Sequence, residues 1–118
     1  MNRDEMRQRT KRFALRIIRL CSALPNDRAG EVLGKQVLKS GTSIGANYRE
    51  ALRASSQRSF ISIIEIAIRE AEETTYWLEL LKESEMVKPH LLDDLADECD
   101  QLIAILTATI ITAKSKLK

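Results

Sequence analysis

Eight cations recur at helical spacing in the first half of the chain: Arg9, Arg12, Arg16 and Arg19, then Lys35, Lys39, Arg49 and Arg53. Steps of three and four residues join the four arginines, and Lys35, Lys39, Arg49 and Arg53 keep the same rhythm with small Thr42 and Ala46 between them, so each group lies along one side of its own helix. Rows of guanidinium and ammonium groups attract phosphate backbones without reading bases. A single stripe of this kind is normally a solubilising face. Two stripes on neighbouring helices, with the acids concentrated on the other two, give the molecule a positive side and turn the reading toward RNA or another nucleic acid. No aromatic residue interleaves the cations, so base stacking on a ring is not expected and sequence preference should be weak.

Residues for catalysis are scarce. His90 is the only histidine; it falls in the first turn of a helix beside a loop, where a solvated surface histidine is expected. Di-iron bundles draw a Glu-x-x-His pair from each of two helices, which one histidine cannot supply. Some helical-bundle ribonucleases place an arginine shortly before their histidine; the run from Glu85 to Pro89 has none. Phosphate-loop and dinucleotide glycine patterns are missing, and no Ser/His/Asp or Cys/His set can be assembled. Glu65, Glu70, Glu72 and Glu73 crowd the third helix. Glu65 and Glu72 read with Arg69 as a solvated face, and a metal site built from carboxylates alone is disfavoured. The expectation is a non-enzymatic protein without metal or cofactor.

A polar pair sits in the stretch SGTSIGANYREAL, Ser40 to Leu52. Ile44, Tyr48, Ala51 and Leu52 share one helix face, with Gly41 and Gly45 beside it. Two glycines inside a helix cost roughly 1 kcal/mol each relative to alanine, which close approach of another helix would offset. Asn47 and Glu50 lie three residues apart on the flank of that face. Their first reading is a structural pair that hydrogen-bonds to a neighbouring helix; a ligand site is the second.

The positioning elements follow from apolar periodicity. Seams run through Met6, Thr10, Phe13, Ile17, Leu20 and Leu24; through Leu33, Val37, Gly41, Ile44, Tyr48 and Ala51; through Phe60, Ile64, Ala67, Ala71, Thr74, Leu78 and Leu81; and through Leu92, Ala96, Cys99, Ile103, Leu106, Ile110, Ala113 and Leu117. They predict helices over about 3–24, 28–53, 57–82 and 89–116, joined by short connections into an all-α, antiparallel up-down four-helix bundle in one domain. Asn26 or Asp27 caps the second helix, and Pro89 suits the first turn of the fourth. Asp93, Asp94 and Asp97 load the positive end of that helix and Lys114, Lys116 and Lys118 the negative end. The third helix carries apolar residues beyond its seam: Ile66, Trp77 and Leu80, flanked by Glu70 and Glu73. These five read as a subunit interface, with a wide intramolecular stripe as the alternative.

Composition agrees with this architecture. In 118 residues there are four glycines and two prolines, too few for many turns. Hydrophobic residues make up 44% and charged residues 31%, which excludes disorder. The net charge of +2 is too small to name a partner by itself. Cys21 and Cys99 fall on apolar faces and read as reduced core residues. A charged N-terminus offers no secretory signal, and no stretch approaches the roughly 18 apolar residues of a membrane span, so the expected compartment is the cytoplasm, with no membrane partner.

The run LPNDRAGEVLGKQVLKSGTSIGANYREALRASSQRSF, followed by IREAEETTYWLELL, resembles the bacterial four-helix bundle proteins encoded in 23S rRNA intervening sequences. Ser43-Ile44, Ala46-Asn47, Glu50-Ala51 and the run from Glu70 through Trp77 to Leu78 carry the resemblance, which covers nearly the whole chain. It implies a bundle that assembles into a homopentameric ring. More distantly the chain is similar to the accessory variability proteins of diversity-generating retroelements, which are pentameric, basic and bind nucleic acid. The resemblance brings no catalytic residues. The resulting expectation is an oligomeric RNA- or nucleic-acid-binding protein; the alternative is a protein-interaction scaffold.

Overall fold

The computed structural model describes residues 1–117. It contains four helices, α1 (Arg3–Ser22), α2 (Arg28–Leu52), α3 (Gln57–Glu83) and α4 (Pro89–Ser115), and no strand among the described residues. Lys118 lies outside them. None of the helices is long and apolar enough to cross a membrane. Three starts are capped by side chains that accept an otherwise unpaired backbone N–H. Asn2 forms a capping box with Glu5, Asp27 accepts from Gly30 at 2.8 Å, and Ser56 accepts from Ser59 at 3.0 Å. Lys88 has no capping side chain, and Pro89 opens α4 instead. α1 stops at Ser22, two residues before the expected Leu24, in a turn that leads into Pro25.

The helices pack in cyclic order, α1 on α2, α2 on α3, α3 on α4, with slight contact between α4 and α1 closing the bundle. The result is a rod of 51 by 21 by 21 Å. Gly45 and Gly41 of α2 meet Thr10 and Ile17 of α1, and Gly34 meets Leu24 just past the end of α1, in reverse order. A Cβ added at Gly41 would stand 2.8 Å from Ile17 Cγ1, and one at Gly45 would stand 2.9 Å from Thr10 Oγ1. The missing side chains are therefore space that α1 occupies. On the other side of α2, Ser40 is buried against Thr74 of α3, their hydroxyl oxygens 2.8 Å apart. Between α3 and α4 the Cys99 thiol donates to the Ala71 carbonyl at 3.2 Å. Every buried side-chain polar atom among the described residues has a partner, as a low-dielectric core requires.

Phe13, Ile17, Ile44, Tyr48, Ile64, Ala67, Leu78 and Leu106 lie in the core. Three details of the seams differ from the periodicity, one being that Leu117, expected in the α4 seam, lies past the end of that helix and is 38% exposed. On α4 it predicts Ala96 and Ile103, whereas Leu95 and Leu102 are buried and Ala96 and Ile103 rest half-buried at the edge. α4 must cover α1 as well as α3, and Leu95 turns toward Arg16 and Leu20 of α1. On α3, Ile61 is buried while Phe60 is half-buried in a groove with Tyr48 and Ile105.

Two outcomes follow. Ile17 is fully buried and branched at Cβ, so it cannot swing away from a new side chain. Gly41→Val should cost about 1–3 kcal/mol, read as a lower urea midpoint, despite the poor helix propensity of glycine. Burial pushes the Cys99 thiol up to about 11, and raises Cys21 and Tyr48 in the same direction. A folded pKa above the unfolded one favours the protonated folded state. Stability should therefore hold its full value below about pH 9 and fall toward about pH 11, by up to about 1.4 kcal/mol per pH unit for this thiol. Cys99→Ala should flatten that slope in pH-dependent urea unfolding.

Candidate nucleic-acid interface

Arg9, Arg16 and Arg19 of α1 lie along α4. Arg9 meets Glu98 of α4 with two parallel hydrogen bonds, Nε at 2.7 Å and Nη2 at 2.8 Å, and Nη2 also donates to Gln101 at 2.6 Å. The bond to Glu98 raises the pKa of the guanidinium further. This side-on geometry is the strongest form of the pair, and both side chains are mostly buried. Arg9 is thus committed to holding α1 against α4 and is not available to a phosphate. Arg12 and Arg19 are exposed and Arg16 half-buried. Arg16 and Arg19 border a groove of about 220 Å³ with Leu20, Ala23, Leu91 and Leu95.

The cations of α2 lie elsewhere. Lys35, Lys39, Arg49 and Arg53 are all exposed. Arg49 and Arg53 border an open groove of about 650 Å³ with Glu50, Ser55, Ser59 and Ile63, at the turn into α3. Lys39 faces α3, where its charge partly offsets the raised pKa of Glu70. Leu15 and Ile18, 42% and 48% exposed, share the outward face of α1 with exposed Lys11, off the line of the arginine stripe. The eight cations therefore form two separate strips and not one continuous surface.

On the flank of α3, Glu70 lies near Lys39 and Ser43 of α2. Burial, then the charge of Glu73, raises the Glu70 carboxyl; Lys39 and the Ser43 hydroxyl act against that rise. Trp77 is half-buried, stands 5.1 Å from the Tyr76 ring, and its Nε1 donates to Glu73 at 3.4 Å. Ile66 is 39% exposed and Leu80 half-buried. The polar pair differs from expectation. Asn47 donates to the Ser43 carbonyl of its own helix at 2.8 Å, and Glu50 is exposed, bonded to no neighbouring helix among the described residues. In this chain α2 and α3 are registered by Ser40 and Thr74, which periodicity had placed in the seam only on the α3 side.

A further surface went unnoticed in the periodicity. From Gln101 to Ala113, α4 has no charged residue, and Ala104, Thr107, Ala108, Ile111 and Thr112 are exposed, Ile111 to 66%. A helix uncharged all round normally meets another surface; thirteen residues without charge was the available signal. No cluster of three or more His, Cys, Asp or Glu among the described residues is arranged to hold a metal.

The sequence profile of the family described as "23S rRNA-intervening sequence protein" matches residues 3–108. The chain is similar to a crystal structure of a protein with unknown function from the S23 ribosomal protein family of Bacteroides thetaiotaomicron. The two are 39% identical, with a TM-score of 0.84, over 89% of this chain and 97% of that one. No curated protein matches.

The placement of Arg9 separates it from the other cations. Arg9→Ala should lower stability by about 1–2 kcal/mol, read by thermal or urea unfolding, because Glu98 loses its partner. It should leave any affinity for RNA within about twofold.

Proposed function

The chain belongs to the 23S rRNA-intervening sequence protein family, and we propose that it is a non-enzymatic protein that holds RNA on the basic faces of α1 and α2. The observation that carries this reading is the division of charge. α1 has seven cations against two acids and α2 four against two, whereas α3 has three against six and α4 one against five. Because α1 packs on α2 and α3 on α4, one side of the bundle is positive and the other negative. RNA is the first ligand to test, since the family is described by its rRNA context. Binding acts through counterion release at Arg12, Arg16 and Arg19 on one strip and Lys35, Lys39, Arg49 and Arg53 on the other. A strand that uses both strips crosses the outward face of α1. The reading includes an antiparallel up-down arrangement, supported by the reversed order of the α1–α2 contacts. The two unpaired cysteines are in keeping with a reducing compartment such as the cytoplasm.

Self-association, in a ring, is part of the proposal. Two uncovered surfaces support it: the α3 flank of Ile66, Glu70, Glu73, Trp77 and Leu80, and the uncharged half of α4. The same surfaces favour a second reading, a scaffold that holds another protein.

RNA affinity should fall by roughly 0.7 log unit per log unit of salt for each single-strand phosphate contact. Lys35→Glu, Lys39→Glu and Arg53→Glu together, or Arg12→Glu, Arg16→Glu and Arg19→Glu together, should each weaken binding at least about tenfold with helicity unchanged. Wild-type protein indifferent to RNA at low salt would leave the scaffold reading. In sedimentation at micromolar concentration the protein should exceed the mass of one chain. Trp77→Ala and Ile111→Asp should each shift it toward a single chain, because interface anchors carry much of the association energy.

A further inference from the structure

The groove beside Arg16 and Arg19 differs from the other grooves that border the cations. Its floor is Leu20, Ala23, Leu91 and Leu95, none of which offers a side-chain hydrogen-bonding group. Leu91 is 45% exposed there, in the first turn of α4. Arg16 and Arg19 stand on one rim, three residues apart on α1, about 4.5 Å along the helix axis. Neither is paired with a carboxylate among the described residues, whereas Arg9 of the same stripe is fully engaged by Glu98.

A bare phosphate needs only the cations, and an apolar ligand needs only the floor. Two unpaired guanidiniums on one rim of an apolar hollow match a ligand that brings two anions and a flat, weakly polar body projecting to one side of them. One nucleotide of a single strand has that form, with a phosphate on either side of its base. A peptide terminus brings a single carboxylate and leaves one arginine unused. We infer that this groove takes one unstacked base of a single-stranded RNA, with Arg16 and Arg19 on the flanking phosphates. The inference rests on the RNA reading and sharpens it. The aliphatic floor accepts any base face and offers no side-chain hydrogen bond to read its edge, so the site is sequence-neutral. A base inside a duplex must leave its stack to enter, which makes the site selective for single strands.

The test compares an adenosine-rich single strand carrying one 2-aminopurine with a blunt RNA duplex, both at low salt, by anisotropy and by 2-aminopurine emission. Wild-type protein should bind the single strand about tenfold more tightly than the duplex, and the emission should rise as the base leaves its neighbours. Leu91→Asn keeps the net charge and alters an exposed side chain; it should remove most of the preference and the emission change while duplex affinity stays within about twofold. Ala23→Leu, at the exposed end of α1, fills the hollow from the other side without adding a stacking ring and should do the same, which keeps the test sound if one variant folds poorly. Equal affinity for both RNAs, or variants that keep the single-strand preference, would overturn this inference and leave RNA binding standing. Binding of neither RNA would overturn both.

Discussion

The close seating of α2 between its two neighbours is the constraint on which the rest of the molecule depends. Gly41 and Gly45 give up their side chains so that Ile17 and Thr10 can lie against the α2 backbone. On the opposite side the small Ser40 lets α3 approach until its hydroxyl meets that of Thr74. Glycine in a helix is locally unfavourable, so this arrangement is stable only while both neighbours are in place. The packing fixes the rotation of α1 and α3, and with it the direction in which every charged flank points.

The fourth interface is of a different kind. α1 and α4 touch only slightly, and the most basic helix there faces the most acidic one. The clamp from Arg9 to Glu98 and Gln101 spans that edge. Two charges held side-on and mostly out of water are geometrically demanding, and each would be costly to leave alone. Below the clamp the seam opens, and Arg16 and Arg19 face an aliphatic hollow in place of an acid. A single stripe of arginines is thus divided by its neighbours into one structural residue and several that remain available.

Apolar surface is also left over. Ile66 is exposed on α3 with Trp77 and Leu80 half-buried, on the helix that carries Glu70, whose pKa burial has raised, and Ile111 stands out from an uncharged half-helix. In a chain of this size a modest core leaves room for association to add stability.

Periodicity alone determined the four helices and most of the core, because a residue's place on its own helix is fixed by 3.6 residues per turn. Phe13, Ile17, Ile44, Tyr48, Ile64 and Leu78 are buried for that reason. Sequence also located the cations and the two helix glycines. It could not say which neighbour each flank would meet. That choice is made by the relative rotation and order of the helices, a balance of packing among all four. The tertiary structure alone turned Leu95 and Leu102 inward in place of Ala96 and Ile103, gave Asn47 a partner within its own helix, and paired Arg9 with Glu98. It also set the arginines of α1 and the cations of α2 on separate flanks. A helical repeat records the angle of a side chain about its own axis, whereas a functional surface depends on the angles between axes, which only long-range packing decides.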